Sequence, residues 1–137
     1  MIKYISGAKG TGKTKIIIDM ANDNVETAKG DIVFLTDTDR YSYSLRYQVR
    51  VVNAKQLKKG DAPICEEALI GFIRGLLAGN HDIETLYIDG AHRMLEKTVF
   101  EMKDFFDDLR EIAQSTDTKF VVTVSENEEN FPDFIRA

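Results

Sequence analysis

The chain has 137 residues, 43% of them hydrophobic and 30% charged, with a net charge of −5. That length suits a single domain, residues 1–137, able to bury its own core, and the acidic balance argues against general affinity for nucleic-acid backbone or an anionic membrane. No apolar run approaches the ~20 residues of a membrane-spanning helix. The single cysteine, Cys65, excludes an internal disulfide, and no Cys-x-x-Cys pair suggests zinc. With no secretory signal pattern at the start, the expectation is a cytoplasmic protein.

In chain order, Met1 to Ser6 reads as a short buried strand ending at glycine. Ile16, Ile17, Met20 and Ala21 then follow helical spacing, which predicts a helix from Lys13 to about Asn24. Lys29-Gly30-Asp31 marks a turn, and Ile32-Val33-Phe34-Leu35 a second buried strand. Thr36 to Tyr47 is polar and tyrosine-rich and reads as a loop, with a weaker extended segment at Gln48 to Asn53. Beyond Pro63, a helix begins at Glu66; Leu69, Phe72, Ile73, Leu76 and Leu77 form its apolar stripe, and Gly79-Asn80 its stop. Leu86-Tyr87-Ile88 is a third strand closed by Asp89-Gly90. The longest helix is expected from about Glu96 to Gln114, with Val99, Met102, Phe106, Leu109 and Ala113 on one face. Lys119 to Val124 is the last strand, followed by an acidic tail ending at Phe131-Pro132. Strands alternating with helices predict an α/β fold: a three-layer αβα arrangement around a mostly parallel sheet, with the chemistry at the strand-to-helix edge.

The segment between the first strand and first helix carries the sharpest signal. Gly7-Ala8-Lys9-Gly10-Thr11-Gly12-Lys13-Thr14 fits the pattern Gly, four residues, Gly-Lys, then Ser or Thr. Average residue frequencies give such a match about once per 30,000 starting positions. Glycines at 7, 10 and 12 let the backbone curl so that amides point at one anion. The following helix aims its N-terminal amides and positive dipole end at the same place. Gly7, Lys9, Gly10, Thr11, Gly12, Lys13 and Thr14 are therefore candidate phosphate-binding residues. Lys13 would reach the β- and γ-phosphates and Thr14 would offer its hydroxyl to magnesium. A second acidic group is then needed for the metal, and Asp89, at the end of an apolar strand, supplies one.

On the residues of Gly7–Thr14 and Leu86–Asp89, the chain resembles the P-loop NTPases over most of its length, Met1 to about Ser125. The Gly-Thr-Gly-Lys-Thr ending resembles the RecA-like and AAA-type branch. That resemblance implies that Lys119–Val124 lies between the phosphate-loop strand and the Asp89 strand, presenting Thr123, Ser125 or Glu126 towards the γ-phosphate. It also implies a glutamate directly after the strand aspartate to polarise water, and this chain has Gly90 instead. The candidate bases that remain are His92, Glu126, Glu66 and Glu67. No Asn-Lys-x-Asp guanine-reading motif is present, so ATP with Mg2+ is the expected ligand. A nucleoside-kinase resemblance lacks both its zinc ribbon and its glutamate.

Other features are weighed more evenly. Thr36-Asp37-Thr38-Asp39-Arg40 either contacts a ligand or is an Asx-rich turn. Tyr41, Tyr43 and Tyr47 with Arg40, Arg46 and Arg50 make a stacking-and-charge surface, although the acidity disfavours nucleic acid. Any of these arginines could serve as a finger on a neighbouring subunit's phosphate. Lys55, Lys58 and Lys59 read as a solvated turn, Phe105 as core, His81 as a helix-exit residue and Cys65 as a structural thiol. The catalytic candidates are Lys13, His92 and Glu126. The expected function is an ATPase that couples nucleotide binding or hydrolysis to a protein partner or homo-oligomer. The alternatives are a nucleotide-dependent switch with little turnover and a small phosphotransferase.

Overall fold

The computed structural model describes residues 1–136. Five strands form one parallel sheet: β1 (Ile2–Ser6), β2 (Asp31–Thr36), β3 (Val49–Asn53), β4 (Ile83–Ile88) and β5 (Lys119–Val124), in the spatial order β1-β5-β4-β2-β3. Burial follows from that order. The central strands β2, β4 and β5 are nearly continuous apolar runs because both their faces are covered, whereas the edge strands β1 and β3 are only partly buried. The segment Lys119–Val124 lies between β1 and β4, the position the sequence resemblance implies.

Helices cover both faces. On one side α1 (Lys13–Asn24) sinks Ile17, Ile18 and Ala21 against Ile5, Ile32, Phe34, Tyr87 and Val121, with Leu45 of the β2–β3 loop completing the cluster. On the other side α2 (Glu66–Gly79), α3 (Ala91–Leu95) and α4 (Lys103–Ser115) pack over Val33, Leu35, Leu86, Ile88, Phe120 and Val122. The alternation of side chains along each strand divides the two cores: Phe34 and Tyr87 face α1, while Val33, Leu35, Leu86 and Ile88 face the larger cluster.

One expected element is corrected. The helix predicted from Glu96 to Gln114 begins only at Lys103, as α4: Glu96 is the cap of the short preceding helix α3, and Val99–Glu101 form a 3-10 turn. Glu96 closes α3 in the left-handed conformation (φ 52°), with Glu96 N–H on Arg93 O and Lys97 N–H on His92 O. That is the Schellman pattern in which glycine is usual. Thr98 and Glu101 then form a reciprocal capping box that restarts the chain in a new direction. The apolar stripe survives the break because Val99, Met102, Phe106, Leu109 and Ala113 are all buried. Phe105 is core too, edge-on to Phe106 at 5.3 Å. The longest helix is therefore α2, with 14 residues. The acidic tail also folds back: after a 3-10 turn at Glu128–Asn130, α5 (Asp133–Arg136) buries Ile135 beside Phe131. No helix of the described residues is long and apolar enough to cross a membrane.

All five strands run the same way, so their carboxyl ends share one edge. The segments leaving that edge are 7–12 after β1, 37–48 after β2, Asp89–Gly90 after β4 and 125–127 after β5. Ligands of open parallel sheets bind there, where strand ends and helix starts converge.

Candidate functional site

The glycine loop leaves β1 and is pinned at its root by Gly7 N–H donating to the Glu126 carbonyl at 2.9 Å. Gly7 is needed for closeness: a Cβ at that position would sit 2.4 Å from Thr11 Oγ1 and 3.4 Å from Lys13 Cγ. Gly10 and Gly12 have φ of 84° and 87°, and Gly12 caps α1. The first helical bond recorded there runs from Ile16 N–H to the Gly12 carbonyl. The amides of the first turn have no helical partner by geometry, and they stand at the positive end of the helix dipole, where the glycine loop joins α1. Lys13 is buried, and its ammonium donates to the carbonyls of Gly7 (2.8 Å) and Ala8 (3.0 Å), spanning the loop from below. Burial lowers the Lys13 pKa, Asp89 opposes that, and Arg93 adds to it. Thr11 closes the loop on itself through Ala8 O at 2.6 Å, and Lys9 stands exposed at the tip.

Asp89 meets this loop from β4. It is 1% exposed, and Thr14 Oγ1 lies 3.2 and 3.4 Å from its two carboxylate oxygens, although the two residues are 75 positions apart. Thr123, at the end of β5, donates to Asp89 Oδ1 at 2.9 Å and accepts the Gly90 N–H at 3.2 Å. A third contact comes from Arg93, one turn on, whose Nη2 lies 3.5 Å from Asp89 Oδ2. The same guanidinium makes two hydrogen bonds to Asp37, Nη2 to Oδ1 at 3.0 Å and Nε to Oδ2 at 3.3 Å. Burial alone would lower the Arg93 pKa, but Asp37, Asp89 and Tyr41 carry it upward.

The remaining candidates divide. His92 lies at the same edge, with Nε2 3.0 Å from Ser125 Oγ and Nδ1 buried without a partner among the described residues. Burial, Arg93 and Lys13 all push its pKa down, which favours the neutral imidazole. Glu126 is near in sequence but turned away: its carboxylate accepts from Asn127 N–H and from Asn130 Nδ2, within its own 3-10 turn. Glu66 is paired with Lys97 at the start of α2. Neither Arg40, Arg46 nor Arg50 joins the constellation; Arg46 pairs with Glu26 in the turn that follows α1. The residue that sequence reasoning missed is Arg93, and its signal was the Asp89-x-x-x-Arg93 spacing across a strand-to-helix turn.

Two oxygens sharing a small octahedral cation at 2.0–2.1 Å stand about 3 Å apart. The 3.2 Å between the Thr14 hydroxyl and the Asp89 carboxylate fits that spacing with hard oxygen donors. No group of three or more His, Cys, Asp or Glu side chains suited to a metal occurs among the described residues. Such a cation would therefore take its other ligands from water and from an anion on the loop, as magnesium does. A cavity of about 1060 Å³, lined by Tyr4, Arg110, Phe131 and Ile135, runs along the outer side of β1 and holds none of these groups. Convergent donors, rather than concavity, mark the site. No protein-family model matches the chain, and no curated protein matches its sequence.

Proposed function

We propose that this chain is a P-loop protein that binds a nucleoside triphosphate, ATP by default, together with magnesium. The observation that carries the reading is the meeting of Thr14 with Asp89 at 3.2 Å, beside a glycine loop underlain by the Lys13 ammonium. When bound, magnesium supplies charge neutralisation to the phosphates. The chain's own residues do the rest: loop and first-turn amides receive phosphate oxygens, Lys13 exchanges its carbonyl partners for them, and Thr123 holds the Asp89 carboxylate in place. Because Gly90 supplies no carboxylate and Glu126 points into its own turn, the reading is a nucleotide-dependent binding module with slow turnover. Coupling to a protein partner or a further copy of the chain belongs to the same proposal. So does a cytoplasmic setting, which suits the free, exposed Cys65.

A second reading, hydrolysis, is favoured by one observation: a neutral-leaning His92 bonded to Ser125 at the same edge, able to accept a proton. Calorimetric titration of Mg-ATP into wild type, Lys13→Ala and Asp89→Ala tests the main reading. Losing charge-assisted hydrogen bonds of about 1.5–3 kcal/mol predicts affinities about 10- to 100-fold lower. Unchanged binding in Lys13→Ala would refute it. Phosphate release that disappears in His92→Gln while binding persists would favour hydrolysis.

A further inference from the structure

Asp89 is a carboxylate at 1% exposure whose hydroxyl partners, Thr14 and Thr123, are both neutral. A buried charge needs an opposite charge nearby. Lys13 lies close enough to feel Asp89, but its ammonium is spent on the carbonyls of Gly7 and Ala8. The cation placed directly on Asp89 is Arg93. Its guanidinium is held unequally: two hydrogen bonds to Asp37, and only a 3.5 Å ion pair to Asp89. The Asp89 contact is the weaker of the two and the one that gives way first.

Gly90 explains how the arginine reaches there. A Cβ at residue 90 would lie 2.2, 2.5 and 2.9 Å from Nη2, Cζ and Nε of Arg93, so the guanidinium lies over the bare backbone of Gly90. A side chain at 90 and this placement of Arg93 exclude each other. The glycine that stands where the resemblance leads one to expect glutamate is the space that the arginine uses.

Asp37 opens the β2–β3 loop. Further on, Asn22 of α1 donates to Ser44 O at 2.9 Å and accepts Arg46 N–H at 2.8 Å, while Leu45 is buried under the loop. Segment 37–48 is thus tethered at its start by Arg93 on Asp37, next by Asn53 Nδ2 donating to Asp39 Oδ1 at 2.9 Å, and near its end by Asn22 and by the Arg46–Glu26 pair, while Tyr43 and Tyr47 stand in solvent.

We propose that Arg93 is the resident cation of the Asp89 site: it neutralises Asp89 while no metal is bound, yields that carboxylate to an incoming metal–nucleotide complex, and remains on Asp37, so that occupancy is passed to loop 37–48. The inference rests on the reading of the site as a magnesium–triphosphate site. Arg93 would be repelled by a divalent charge held at Asp89, and its two bonds to Asp37 would retain it there. Arg93 is a positioning residue in this scheme; it touches no phosphate.

The test uses the intact chain, with Mg-ATP as the probe in calorimetry and hydrogen exchange read over residues 37–48. Arg93→Ala removes the competing cation and is expected to bind Mg-ATP about threefold more tightly, the scale of a partly exposed ion pair. Asp37→Asn removes the alternative partner, leaves Arg93 on Asp89, and is expected to weaken binding by a similar factor. Mg-ATP is expected to change exchange across 37–48 in wild type and not in Arg93→Ala. Weaker binding in Arg93→Ala would make the arginine a phosphate ligand and overturn the inference. So would unchanged affinity in both variants, or a wild-type loop indifferent to Mg-ATP. If Arg93→Ala does not fold, the sign of the Asp37→Asn effect decides. Wild type that fails to bind Mg-ATP sinks the underlying reading and this one together; binding that needs Lys13 but ignores Arg93 and Asp37 sinks this one alone.

Discussion

Thr123→Val is the substitution whose effect can be worked most fully from the geometry. Valine keeps the shape of threonine and the β-branch that suits β5, so packing and strand preference are nearly unchanged. The hydroxyl alone is lost. It makes two bonds at a position 3% exposed: it donates to Asp89 Oδ1 at 2.9 Å and accepts Gly90 N–H at 3.2 Å. A hydrogen bond to a charged group contributes about 1.5–3 kcal/mol, and a buried amide left without a partner costs about 1–3 kcal/mol. The two losses share one hydroxyl and do not add in full, which leaves about 2–3 kcal/mol of destabilisation. With a urea m-value of about 1.5 kcal/mol/M, the unfolding midpoint should fall by about 1.3–2 M. Urea denaturation of the ligand-free protein measures this without any assumption about ligand. A midpoint within about 0.3 M of wild type would show that water or backbone movement satisfies both groups, and the rigid placement of Asp89 would lose its basis.

Three further outcomes are expected. His92 has its pKa depressed by burial, then by Arg93 and Lys13, so the unfolded chain takes up a proton first as pH falls below about 6.5. Its contribution to stability is complete above that pH and declines towards the lower folded value; wild type should lose stability relative to His92→Gln between pH 7.5 and 5.5, and parallel profiles would contradict the assignment. Phe106→Ala removes a ring 1% exposed that packs on Tyr4, Phe105 and Phe134, and should cost about 3–5 kcal/mol by chemical denaturation. Glu96→Gly relieves a left-handed residue at φ 52° and should raise stability by about 1 kcal/mol; a drop instead would mean that the Glu96 side chain makes a contact of its own.

The local pattern of the sequence was enough for the strands and most helices. Continuous apolar runs at 32–35, 86–88 and 120–122 suit strands of a parallel sheet covered on both faces, and the α1 and α2 ranges followed from spacing and stop signals. The break before α4 was written there as well, in the Thr98-x-x-Glu101 capping box, but the unbroken apolar stripe concealed it. Glu96 gave no such notice, because a non-glycine residue at a left-handed cap depends on what packs around it.

The glycine loop was legible because its turn depends on consecutive backbone positions, and consecutive residues are what a sequence displays. The arrangement around Asp89 was not. Thr14, Asp37, Asp89, Arg93 and Thr123 come from four strand ends and the helices that follow them, and only the β1-β5-β4-β2 order brings those ends together. Which of several arginines would stand beside the aspartate was a question of distance, settled in favour of Arg93 over Arg40, Arg46 and Arg50 by the turn at Gly90. The sequence by itself determined the fold class and the glycine loop, since both rest on local periodicity and local backbone freedom. Charge pairing across the sheet edge was decided only by the tertiary structure, because Coulomb interactions depend on separation in space and not along the chain.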